Sequence, residues 1–221
     1  MLAIGGLTPG SPSLMVPPSS LEHFIYGHCG SSCMQKILPR EGIRVFAANL
    51  HTHLAGRGMR LLHIRDNKEL PWIVYDNNYN FNYQQNRILR NEIEILPGDT
   101  TINRCMYGTT DRNGSVTVGG FSTRNEMCSG FMWYYNRIPN YAVCRSEIRS
   151  DVYKNFLNIW NTTWSDERIE NVVTSPMENE GLVVSEVGNR IDWTIERRNQ
   201  IQQYHRYLPQ ITGCPSLVED G

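Results

Sequence analysis

Apolar and polar residues alternate along 43–54. Ile43, Val45, Ala47, Asn49, His51 and His53 fall on one face, and Phe46, Leu50 and Leu54 on the other. A period of two is that of an extended strand, and apolar residues on both faces predict a strand covered on both sides. Further strands are predicted at 61–65 and 72–75, flanking Asp66-Asn67-Lys68 as a hairpin loop, at 100–107 after the Pro97-Gly98-Asp99 turn, and at 131–135 as an aromatic run. Asn113-Gly114 is the pair that favours a type I′ hairpin tip. From residue 146 the pattern changes: Ile148, Val152, Phe156 and Ile159 or Trp160 recur at helical spacing, with Ser150 or Asp151 as caps, and 200–207 reads as another short helix. Short strands followed by helices predict an all-β fold, an antiparallel jelly-roll β-sandwich over 14–145, with a partly helical C-terminal extension over 146–221 that wraps it.

Residues 1–13 read as a linker remnant. The Leu-Thr-Pro-Gly-Ser-Pro stretch is linker-like, and the first 20 residues lack the basic start and apolar core of a signal peptide, so either a truncated gene model or a fragment of a longer protein is expected. A chain of 221 residues with 40% hydrophobic content can bury a substantial core. The net charge of −1, with scattered Lys and Arg, supplies no field for nucleic acid. No apolar run approaches the ~20 residues that span a bilayer, and membrane attachment of an intact protein is left open.

Six cysteines, at 29, 33, 105, 128, 144 and 214, accompany the sequons Asn113-Gly-Ser and Asn161-Thr-Thr. An even cysteine count with glycosylation acceptors favours disulfides in a secretory lumen or outside the cell. Cys29-Gly-Ser-Ser-Cys33 could be half of a zinc site, but no second closely spaced pair completes it.

His51 and His53, two apart on a strand, point to the same side and form a preset chelating pair. A soft third donor is Met127, in Glu126-Met127-Cys128. A thioether suits copper(I), whereas zinc, calcium and magnesium sites seldom use one. The alternative is a zinc site on the histidines with Met127 as core filler. The remaining histidines, at 23, 28, 63 and 205, show no His-His pair or cluster in sequence and read as surface or hydrogen-bonded residues.

Together His51-Thr-His-Leu-Ala-Gly-Arg57, Leu96-Pro-Gly-Asp99, Gly119-Gly-Phe-Ser-Thr-Arg-Asn-Glu-Met-Cys128 and Tyr134-Tyr135 resemble the copper type II, ascorbate-dependent monooxygenases, in their C-terminal catalytic half. Ser122-Thr123-Arg124 is similar to the dopamine β-hydroxylase-like branch. The resemblance implies an eight- or nine-stranded jelly-roll with one copper held by His51, His53 and Met127. It also implies oxygen-dependent hydroxylation of a substrate C–H bond with ascorbate as electron donor, and an N-terminal domain, missing here, that carries a second copper. By the same resemblance Cys29 pairs with Cys144, Cys33 with Cys214 and Cys105 with Cys128, and covalent dimers are not expected. Where a peptide-processing relative has a carboxylate-gripping arginine and polar residues, this chain has Asn49, Ser129 and Phe131, which turns the expected substrate toward a small phenylethylamine-like amine. Phe131, Tyr134 and Tyr135 could flank it or serve as core. The alternative function is a non-catalytic secreted module that binds copper or a partner.

Overall fold

The alternation at 43–54 becomes a strand with one irregularity that decides which side chains face the core. A computed structural model describes residues 2–6, 13–138 and 143–214. In chain order its first strands are β1 (Leu2–Gly6), β2 (Met15–Val16), β3 (His23–Cys29), β4 (Ile43–His51), β5 (Gly56–Arg65), β6 (Lys68–Asp76) and β7 (Arg87–Ile95). There follow β8 (Thr100–Tyr107), β9 (Thr117–Val118), β10 (Cys128–Tyr135), β11 (Val143–Ile148), β12 (Asn161–Ser165), β13 (Glu170–Ser175) and β14 (Gln210–Gly213). Helices are α1 (Ser31–Ile37), α2 (Ser150–Leu157), α3 (Val184–Asn189) and α4 (Ile195–Tyr207).

Two sheets face each other, one of six strands ordered β14-β11-β1-β10-β4-β7 and one ordered β3-β8-β5-β6. Between them lies a core that includes Leu2, Ile25, Val45, Leu50, Leu61, Cys105 and Met132. The architecture is the expected β-sandwich with a partly helical C-terminal part, but its two facing sheets hold more strands than an eight- or nine-stranded jelly-roll. The additions are edge and inserted strands from the two ends of the chain. Leu2–Gly6, inside the stretch read as linker, is β1, antiparallel to β10 and parallel to β11, so the sheet is not purely antiparallel. The linker-like residues 7–12 lie outside the described residues.

The β5–β6 hairpin forms as expected, Arg65 opposite Lys68, with Asp66 and Asn67 both at positive φ, the backbone of a type I′ tip. Asn113 and Gly114 also have positive φ, yet they close a turn and not a hairpin: β9 pairs with β2, not with its predecessor β8. On β4, Phe46 is an extra residue between the Val45–Tyr134 and Ala47–Trp133 pairs. This bulge reverses the side-chain parity. Ile43 and Val45 point into the core before it, Ala48 and Leu50 after it, so Asn49 and His51 face away from the core instead of sharing a face with Ile43.

Three disulfides join the sequence-distant parts: Cys29 with Cys144, Cys33 with Cys214 and Cys105 with Cys128, the pairing that the resemblance implied. The first ties β3 to β11 and the third ties β8 to β10, both across the sandwich. Cys29, Cys33 and Cys144 sulfurs cluster, but each is already in a disulfide, so no thiolate remains for the zinc half-site considered for Cys29 and Cys33.

The pattern change at residue 146 falls inside β11, and Ile148 ends that strand; the helix starts at Ser150, with Arg149 at its N-cap and Asp151 in its first turn. Thr194 caps α4 by accepting from Arg197 N–H, which makes that helix longer than 200–207. Val152, Phe156 and Ile159 do pack, while Trp160 is exposed. Their core is a second one, shared with Met15, Val116 and Val118 of β2, β9 and their flanks, so the C-terminal part encloses apolar residues of its own besides lying against β3 through α4.

Candidate metal centre

His51 closes β4 and His53 lies two residues beyond it, and their rings meet at 5.1 Å between centroids, edge to face. The sequence forces a tight loop here. A Cβ on Gly56 would lie 1.8 Å from Thr52 Oγ1, so only glycine lets the chain turn back into β5 beside the buried Thr52. Tyr79 locks the residue between the histidines: its hydroxyl donates to Thr52 O at 2.9 Å and accepts from Thr52 N–H at 3.1 Å.

Each imidazole is oriented by one acceptor on Nδ1. His51 Nδ1 contacts Gln84 Oε1 at 2.5 Å, and Gln84 is itself held because its amide donates to Phe81 O at 2.9 Å. His53 Nδ1 contacts Asn125 O at 3.0 Å. Both partners are oxygens without a proton, so both rings carry their proton on Nδ1 and keep the Nε2 lone pair. Among the described residues neither Nε2 has a hydrogen bond of good geometry, the Ser122 carbonyl being a second acceptor beside the His53 ring. This is the tautomer of a metal ligand, fixed from behind by a carbonyl. Burial holds the His53 pKa below its ordinary value, partly offset by the Asn125 carbonyl, reinforced by His51 and offset a little further by the Ser122 carbonyl, so the ring stays neutral.

Glu126 binds the loop from the other side. Fully buried, it accepts from His53 N–H at 2.8 Å and Ala55 N–H at 2.6 Å, with Arg112 at 3.7 Å. Burial pushes its carboxyl up to about 7 against the pull of those two N–H groups and Arg112. The same residue joins Val118 and Gly120 by main-chain bonds, so one side chain and its backbone connect the histidine loop to the segment carrying Met127.

On β10, Ser129 stands opposite His51 and Phe131 opposite Asn49. Met127 directly precedes β10 and His53 lies two residues past the end of β4, so the segments that carry them adjoin where the Ser129–His51 pair closes the ladder. Met127 is half-buried and belongs to neither apolar core, which disfavours its reading as core filler. Its backbone is held on both sides, by Tyr107 Oη donating to Met127 O at 2.7 Å and by the Cys105–Cys128 bridge next door. Among the described residues no third imidazole, thiolate or carboxylate joins His51 and His53, as a structural zinc site would need. Two imidazoles with both Nδ1 atoms committed, and a methionine on the adjoining segment, are a donor set that fits copper.

A family described as copper type II ascorbate-dependent monooxygenase, C-terminal domain, matches residues 3–157. The chain belongs to this family. Members use copper as cofactor and ascorbate as reductant. Mouse DBH-like monooxygenase protein 1 is 38% identical over 207 residues, 90% of this chain and 33% of the relative. Rat dopamine beta-hydroxylase is 30% identical over 204 residues, 92% of this chain and 31% of the relative. The chain thus spans about a third of the length of these curated relatives.

Other members of the expected site separate. Phe131 stays, its ring 6.2 Å from His51. Tyr134 packs against the core, and Tyr135 turns to Glu92, bonded at 2.5 Å, so the three aromatics do not flank one substrate. Asn113 and Asn161 are both exposed. Of the remaining histidines, His63 bonds Asp99 at 2.7 Å, and His23 and His205 meet each other at 2.9 Å, a pair that 182 intervening positions hid from sequence inspection. Tyr79, Gln84, Phe81 and Asn125 were missed. Glu126 carried a signal by adjoining Met127.

Proposed function

We propose that this chain is the oxygen-binding copper domain of a monooxygenase that hydroxylates a C–H bond of a small phenylethylamine-like substrate. The observation carrying this reading is the pair of imidazoles with both Nδ1 atoms committed, with Met127 on the segment that leads into β10, the strand paired with β4. His51, His53 and Met127 would hold copper, which when bound supplies the family's redox chemistry with oxygen and electrons from ascorbate. Gln84 and Asn125 keep the ring protons on the far nitrogens. Glu126 and Tyr79 fix the loop so that the donors need no rearrangement to meet the ion. The neutral thioether favours the reduced metal.

For the substrate, Phe131 offers an aromatic surface next to His51, with Asn49 and Ser129 as its neighbours on the same face. Asn49 Nδ2 donates to Asn86 Oδ1 at 3.3 Å, and no guanidinium stands there to grip a peptide carboxylate. Three disulfides and two exposed sequons support a secretory lumen or the extracellular space. The electron-transfer partner is an N-terminal domain with a second copper, as the family's description of this region as a C-terminal domain suggests.

The test is product formation from phenylethylamine with copper, ascorbate and oxygen. The chain alone should turn over slowly or not at all, and joining it to a family N-terminal domain should restore turnover that His51→Ala abolishes. No product from the joined protein, or unchanged turnover in His51→Ala, contradicts the proposal.

A further inference from the structure

The outer face of the four-stranded sheet carries a row that runs Tyr26, Arg104, Arg60, Tyr75 across β3, β8, β5 and β6. Arg60 and Arg104 stand directly opposite each other. Like charges in that position repel, and an isolated sheet would exclude the arrangement. Neither guanidinium is neutralised: among the described residues no carboxylate forms an ion pair with either one. Nearby acids are committed elsewhere, Glu69 accepting from Trp72 Nε1 at 2.6 Å and Asp76 pairing with Arg87.

Both side chains are nonetheless held in place. Arg60 lies over the Trp72 ring at 4.2 Å and donates to Asn77 Oδ1 from Nε and Nη2, at 3.3 and 3.0 Å. Arg104 lies over the Phe24 ring at 5.2 Å and has no hydrogen-bond acceptor among the described residues. Between them opens a cavity of about 170 Å³ lined by Phe24, Met59, Arg60, Asn77, Arg104 and Met106. It is roomy enough for a tetrahedral oxyanion or a carboxylate. Burial, then Arg60 and Arg206, pull the Arg104 pKa below its ordinary value, against the opposing fields of Tyr26 and Glu69.

We propose that this cavity is an anion site in which Arg60 and Arg104 together grip one phosphate, sulfate or carboxylate group. Arg104, whose fork has no acceptor among the described residues, and Arg60, whose Nη1 is uncommitted, line one pocket and can together hold such a group, and a bound anion converts a repulsive cross-strand pair into a bridged one. The site lies on the sheet opposite the one that carries the histidines, so it is independent of copper.

The experiment titrates metal-free protein with inorganic phosphate, inorganic sulfate and citrate in separate arms, following the arginine Nε–H resonances by NMR. The three affinities rank the oxyanions against the carboxylate. The tightest ligand should shift both Arg60 and Arg104 signals. Arg104→Gln and Arg60→Gln should each weaken binding roughly tenfold, the loss expected from one charge-assisted hydrogen bond. Arg104→Lys should recover part of it. In anion-free buffer both glutamine variants should melt no lower than the parent, because a like-charge pair has been removed. The proposal is overturned if no anion shifts the two signals, or if the parent and both variants bind with the same affinity.

Discussion

Two pairs of histidines sit in this molecule, and they differ in what their ring nitrogens do. At the end of β4 in the six-stranded sheet, His51 and His53 each give Nδ1–H to an oxygen and leave Nε2 for another partner. At the junction of β3 with α2 and α4, His23 and His205 are bonded to one another at 2.9 Å, and His205 Nε2 also meets Ser13 O at 3.1 Å and the Tyr153 hydroxyl. Ser13 O only accepts, so His205 carries its proton on Nε2 and receives on Nδ1 from His23. Every proton in that cluster then has an acceptor, provided both rings are neutral. The first pair is arranged to bind something; the second is already satisfied and clamps the C-terminal helices to the sandwich. Residue type and proximity are shared, and the protonation pattern imposed by surrounding oxygens separates ligand from structure.

Removing Glu126 should blur this distinction most. Glu126→Ala orphans the buried N–H groups of His53 and Ala55 and should cost about 3–5 kcal/mol by chemical denaturation. Copper affinity should fall with it, whereas the His23–His205 region should keep its NMR shifts. Replacing both Cys105 and Cys128 by Ala should cost about 2–4 kcal/mol and also loosen copper, since the bridge anchors the residue after Met127. Denaturation midpoints with and without copper check both effects.

Acid should act on the second pair instead. Burial, with Ser13 O opposing it, lowers the His205 pKa to about 3, and burial with the nearby His205 and Arg198 charges lowers that of His23. The unfolded chain binds a proton near 6.5, so the unfolded state takes up more protons below that pH. Stability should therefore fall as pH drops from about 7.5 toward 3, by about 1.4 kcal/mol by pH 5.5 from His205 alone. His205→Gln should flatten that slope between pH 6.5 and 5, and an unchanged slope would show that the cluster does not govern it. Smallest of these is Tyr79→Phe, which should cost about 1 kcal/mol and loosen copper slightly, because only the hydroxyl that pins Thr52 is lost.

Much of this was legible in the chain. Alternation marked β4, turn residues marked the β5–β6 hairpin and the start of β8, and the His-x-His spacing with a distant methionine pointed to the proposed metal donors. The Phe46 bulge was hidden because an extra residue leaves apolar alternation intact on either side while reversing which face is inside. β1 was hidden because a glycine-rich five-residue strand looks like linker, and it is recruited by β10 and β11, far along the chain. Gln84, Asn125 and Tyr79 act through single hydrogen bonds to positions tens of residues away, which no local pattern encodes. The His23–His205 clamp escaped for the same reason.

X-ray absorption on the chain loaded with one equivalent of copper(I) tests the centre most directly. The account predicts two nitrogen scatterers from His51 and His53 and one sulfur scatterer that vanishes in Met127→Ala, while Cys105 and Cys128 remain bonded. A spectrum without sulfur, or one that Met127→Ala leaves unchanged, would contradict it.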